Sequence, residues 1–113
     1  MKYHNNDNKL EDITSSVSIN TRDFRNNGYV CVHKKNNIVV ISIFGLYPLI
    51  APTNGVHVID NLPINKTYTL ASPGFLNTPC TFNLYMDIYG SFLGINLFNS
   101  ELPIYANLIY ITD

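Results

Sequence analysis

A chain of 113 residues with a formal net charge of −1 has room for a single hydrophobic core, and its seven Lys and Arg form no basic surface able to displace counterions from phosphates. A nucleic-acid partner is therefore not expected. No apolar run approaches the roughly twenty residues that span a bilayer, so membrane insertion is not expected either.

Only 13% of the residues are charged, while 46% are hydrophobic, so uncharged polar groups must cover the surface. Asn5-Asn6, Asn26-Asn27 and Asn36-Asn37 together with eight tyrosines fill that role. Such a surface suits neutral hydroxylated ligands or subunit contacts better than charged partners.

Residues 1–12 are polar almost throughout and read as a flexible arm, not as a signal peptide. The remaining residues, 13–113, read as one domain. Alternation begins at Ile13, with Ser15, Val17 and Ile19 on the same side, and predicts a first strand that Thr21 to Asn27 interrupts. Tyr29 to His33 and Ile38 to Phe44 are rich in β-branched residues and flank Lys34-Lys35-Asn36-Asn37, whose asparagines tolerate positive φ. A hairpin symmetric about that turn pairs Val30 with Ile41 and Val32 with Val39 on the core face. Tyr29, Cys31 and His33 then share the other face with Ser42, Val40 and Ile38, and both faces are apolar enough to be covered. Leu46 to Gly55, with two prolines and Asn54-Gly55, reads as a loop.

Val56 to Asp60 is a short strand closed by Leu62-Pro63, and Thr67 to Ala71 is another closed by Ser72-Pro73-Gly74. In Thr81 to Tyr89, Phe82, Leu84, Met86 and Ile88 alternate with Asn83, Tyr85, Asp87 and Tyr89. Gly90-Ser91 then reads as a two-residue turn, and a returning strand Phe92 to Phe98 would pair Ile88 with Leu93, Met86 with Ile95 and Leu84 with Leu97. Ile104 to Ile111 follows Pro103 as the last strand. No stretch has helical periodicity. The fold class expected is all-β: an antiparallel β-sandwich or jelly-roll-like barrel of about seven or eight short strands.

Cys31 and Cys80 match no metal-ligand spacing and read as reduced core residues, a bridge between them being the alternative. Asn65-Lys66-Thr67 has the form of a glycosylation sequon and reads as accidental. No nucleophile elbow, phosphate loop or zinc-type histidine spacing occurs, so neither an enzyme nor a cofactor is expected, and His33 and His57 read first as hydrogen-bonded strand residues. Were the chain a glycosidase, Asp60 and Asp87 would be the pair of carboxylates, within about 5–10 Å of each other.

Saccharide recognition asks for flat aromatic faces against sugar C–H groups and planar amides or carboxylates against hydroxyls, held on a rigid scaffold. Asn83, Tyr85, Asp87 and Tyr89 supply these groups along one strand face, and His57 and Tyr68 complete the candidate set. The same face read structurally would pack on a neighbouring subunit or the second sheet.

Gly28 to Ile41, Gly55 to Pro63, Ile88 to Ile95 and Ile109 to Thr112 together resemble, in order and pattern, the C-terminal head domains of receptor-binding and baseplate proteins from phages of Gram-positive bacteria. The resemblance implies a homotrimer at a phage tail tip, assembled in the bacterial cytoplasm, contacting other tail or baseplate proteins and binding host cell-wall polysaccharide without catalysis. A structural tail protein of the same fold that binds no glycan is the alternative.

Overall fold

The computed structural model describes residues 10–49, 54–67, 70–74, 82–97 and 103–113. They form two antiparallel sheets packed face to face, a β-sandwich. The first sheet has the order β1 (Glu11–Asp12), β3 (Phe24–Lys35), β4 (Ile38–Pro48), β9 (Ile104–Ile111). The second has the order β2 (Ser18–Ile19), β5 (Val56–Asp60), β8 (Leu93–Leu97), β7 (Phe82–Met86), β6 (Leu70–Gly74).

Alternation dictates what lies between the sheets. Val30, Val32, Val39, Ile41, Ile43, Ile104, Leu108 and Tyr110 point inward from the first sheet and meet Val58, Ile59, Leu84, Met86, Leu93 and Ile95 from the second. Each such aliphatic side chain, once fully buried, contributes roughly 1.5–3 kcal/mol. Tyr110 is buried with them and donates its hydroxyl hydrogen to the Pro63 carbonyl at 2.7 Å, while desolvation raises the phenol above its usual pKa.

Val56 to Asp60 and Ile104 to Ile111 fold as read, the former ended by Asn61 at φ 61° and then Leu62-Pro63. Elsewhere the structure corrects the reading. Glu11 and Asp12, assigned to the arm, pair with Lys34 and His33, so the domain starts before residue 13. The expected strand over Ile13 to Ile19 is broken by a 3-10 turn at Thr14–Ser16. Asp12 Oδ1 accepts the Thr14 amide at 2.9 Å, and the Thr14 side chain first, with this amide second, holds the carboxyl below its ordinary pKa. This turn carries the chain from the edge of one sheet to the edge of the other, with Ile13, Val17 and Ile19 against the core and Ser15 in solvent.

Both hairpins keep their expected faces and shift their register by two residues. In the first, only Asn36-Asn37 turns the chain, Asn36 at φ 54°, and Val30 meets Ile43, Val32 meets Ile41 and Lys35 meets Ile38. Its ladder runs on through Leu46 to Pro48, where a loop was expected. A bulge lets it continue: Gly45 takes φ 82°, and Gly28 lies where a Cβ would come within 1.8 Å of the Phe44 carbonyl oxygen.

In the second hairpin Leu84 meets Ile95 and Tyr85 meets Gly94, and residues 87–92 form the connection in place of a Gly90-Ser91 turn. The cause is the segment 62–65. Asn65 is fully buried, its N–H donates to the Gly90 carbonyl, its carbonyl accepts from Tyr89, and Leu62 N–H donates to Ser91. Its amide nitrogen donates to the Met86 and Asp87 carbonyls, both at 3.4 Å. Ile88 is consequently exposed rather than core, and Tyr89 takes φ 63°. The β6 ladder passes through Ser72-Pro73-Gly74, which an edge strand permits because proline has no hydrogen to donate.

Cys31, read as core, is half-buried on the outer face beside Ser42 and carries a free thiol; Cys80 lies outside the described residues.

Candidate functional site

The outer face of the five-stranded sheet gathers half of the expected residues. His57 and Tyr85 are both register partners of Gly94, one on each side of β8, and Asn83 faces Asn96 one step along. Because position 94 has no side chain, the Tyr85 ring lies directly over its backbone: a Cβ there would come within 2.4 Å of Tyr85 Cζ. That lets the phenol reach across β8 toward Gly55, whose N–H donates to Asn96 Oδ1 at 2.9 Å.

Phe92 joins the two rings. It stacks on the His57 imidazole with centroids 3.7 Å apart and planes 6° from parallel, and meets Tyr85 edge-on at 6.2 Å. His57 Nδ1 is 2.7 Å from Asp60 Oδ1, which fixes the ring's orientation. The result is an aromatic shelf with amides of Asn83 and Asn96 at one end and the Asp60 carboxylate at the other.

Beside the shelf opens a groove of about 630 Å3, within the size range of small-ligand sites, lined by residues 18–23 together with Gly55, Val56, His57 and Asp60. Asn20 shapes its wall. Its Oδ1 accepts the N–H groups of Arg22 and Asp23, and its amide nitrogen donates to Asp23 Oδ2 at 2.9 Å and to the His57 carbonyl at 2.8 Å, so the β2–β3 loop is clamped to β5. Arg22 lies 3.2 Å from Asp23 Oδ2. The Asn20 amide first, and the Arg22 guanidinium second, hold the Asp23 carboxyl below its ordinary pKa.

A depressed carboxyl pKa stabilises the fold above the unfolded value and loses that contribution as the pH falls through the folded one. Asp23→Asn is therefore expected to lower the thermal midpoint at pH 7, with the gap to the parent chain closing below about pH 3.9. A gap that widens in acid would contradict it.

The remaining expected residues are not brought to the shelf. Asp87 is exposed beyond the end of β7, and Asp60 lines the groove while Asp87 does not, so the two make no carboxylate pair within it. Tyr89 is 68% exposed and its ring centroid lies 5.5 Å from Lys66 Nζ, which is itself 3.6 Å from Asp113. Tyr68 lies outside the described residues. Sequence reasoning missed Phe92, Asn96, Asn20 and Asp23. Phe92 and Asn96 fall on the expected face and were legible by alternation, whereas Asn20 and Asp23 come from a loop whose position only the folded chain defines.

Among the described residues no three of His, Cys, Asp and Glu group as metal ligands, and no helix is long and apolar enough to cross a membrane. The buried Asn65 amide explains why the sequon is not a modification site of the folded chain. No protein-family model matches the chain, and no curated protein or solved structure matches it.

Proposed function

We propose that this β-sandwich is a saccharide-binding adhesion domain without catalysis, acting as the receptor-binding head of a phage tail. The observation that carries the saccharide reading is the shelf of His57, Phe92 and Tyr85 beside a polar groove, aromatic surface and planar hydrogen-bonding groups being what a sugar ring presents partners for. Rigidity supports it: Tyr85 rests on Gly94, His57 is held by Asp60, and the groove wall is clamped by Asn20, so little entropy is lost on binding. Both groove carboxylates are held in place, Asp60 by His57 and Asp23 by Asn20 and Arg22, so each presents fixed acceptors to a hydroxyl.

The tail-tip setting, the homotrimer, the host cell-wall polysaccharide and the neighbouring baseplate proteins come from the sequence resemblance. A glycan array and a pull-down on purified Gram-positive cell-wall polysaccharide test the reading. The parent chain should bind, and Tyr85→Ala should weaken Kd roughly 5- to 30-fold, equivalent to about 1–2 kcal/mol, with an unchanged circular dichroism spectrum. Asp87→Ala, which alters no shelf residue, should change binding less. Absence of binding by an assembled parent protein would favour a purely structural tail component.

A further inference from the structure

The outer face of the four-stranded sheet is apolar and open. Tyr29 is 50% exposed, Phe44 51%, Ile38 43%, Ile109 63% and Ile111 43%. The ladders align these residues in rows across β3, β4 and β9: Tyr29 beside Phe44 beside Tyr105 at one end, and Ile38 beside Ile111 at the other. The aromatic row is internally ordered, Tyr29 and Phe44 stacked at 5.4 Å and Phe44 against Tyr105 edge-on at 4.7 Å. Between them lie two further rows, Cys31–Ser42–Asn107 and His33–Val40–Ile109, with His33 Nε2 3.9 Å from Asp12 Oδ2 at the sheet margin. No outward position on β4 or β9 carries a charge; Asp12 and Lys35 stand at the margin of the face, and Arg25 lies beyond the aromatic row over the Tyr47 ring.

We propose that this face is where a second copy of the chain packs. The pattern is self-complementary. When two such faces meet about a two-fold axis across the strands, the aromatic row of one covers the isoleucine row of the other, and the Cys31–Ser42–Asn107 row of one meets the His33–Val40–Ile109 row of the other. Lys35, in the isoleucine row, then reaches the Tyr29 ring of the other copy, a favourable cation–π arrangement, and no like charges are opposed at the centre.

The dozen or so outward positions of β3, β4 and β9 are about half of what a standard interface takes from each partner, which puts the pairing among weak, reversible associations. A heterologous partner would need no such symmetry of rows. A two-fold contact is not the one that closes a trimer, so the inference goes beyond the homotrimer proposed above and is independent of saccharide recognition, and a chain that pairs but binds no glycan sustains it.

Sedimentation velocity between about 1 and 100 μM tests it on the full chain. The parent should shift from monomer to dimer across that range, or from trimer to hexamer where a three-fold contact also forms, and do so equally in 1 M NaCl, since salt screens charge and not apolar contact. Ile109→Lys and Ile38→Lys, both at exposed positions, should each weaken association at least about tenfold while keeping the circular dichroism spectrum and thermal midpoint of the parent. A parent that is monomeric at 100 μM, association abolished by salt, or two folded lysine variants that associate like the parent would each overturn it. Should one variant fail to fold, the other decides.

Discussion

Gly28→Ala is expected to be the most damaging single-methyl change in the protein, costing at least about 3 kcal/mol of stability. The added Cβ would stand 1.8 Å from the Phe44 carbonyl oxygen and 2.8 Å from its carbon. Those atoms are backbone, so no rotamer change relieves the clash. The strands must separate at the bulge, and with them the contacts of Phe24 and Leu46, which are 2% and 1% exposed. Against a total of about 5–15 kcal/mol for an ordinary domain, such a loss removes about a fifth to over a half of the stability. Gly45→Ala makes an informative comparison. Its φ of 82° strains any L-residue by roughly 1–2 kcal/mol, but its nearest would-be contact is 3.3 Å away. Urea unfolding should thus rank Gly28→Ala well below Gly45→Ala, and a Gly28→Ala chain within about 1 kcal/mol of the parent would refute the bulge geometry.

Gly94→Ala should give the opposite profile, a large loss of saccharide binding with little loss of stability. Here the clash is with the far end of a side chain: the new methyl would lie 2.4 Å from Tyr85 Cζ and 2.5 Å from its hydroxyl oxygen. The ring swings off β8, and the edge-on contact with Phe92 goes with it. Binding should fall by roughly the tenfold that removing the ring itself brings, while urea unfolding moves by less than about 1.5 kcal/mol. The double variant Gly94→Ala with Tyr85→Ala supplies the decisive measurement. If the glycine acts only by seating the ring, the second substitution adds nothing to the first, and a further additive loss would place Gly94 in direct contact with ligand.

The register of both hairpins explains what the sequence reveals and what it hides. Period-two alternation decides which residues face inward, so Val30, Val32, Leu84, Met86, Leu93 and Ile95 are buried as read. It does not decide how far a ladder runs before turning. Lys34 and Lys35 look like turn residues because they are charged, yet they extend the β3–β4 ladder, and the turn contracts to the asparagines, one of which takes the left-handed conformation.

The β7–β8 connection departs for a nonlocal reason. Asn65 arrives from some twenty residues upstream and takes the hydrogen bonds a tight Gly90-Ser91 turn would have satisfied internally. The same limit applies to the site. Asn83 and Tyr85 can be placed on one strand face by counting, but the expected register set Gly94 opposite Asp87, and only the two-residue shift brings it under the Tyr85 ring. The Asn20 clamp joins residues separated by 37 positions, and no local pattern announces it.

Attachment of an oligosaccharide to Asn65 and closure of the native fold are mutually exclusive, because the side chain that would carry the sugar is fully buried against the Met86 and Asp87 carbonyls. A eukaryotic secretory pathway modifies chains while they are still emerging. Manufacture there would set sugar transfer against folding of the emerging chain, and only the undecorated fraction could close the sandwich over Asn65.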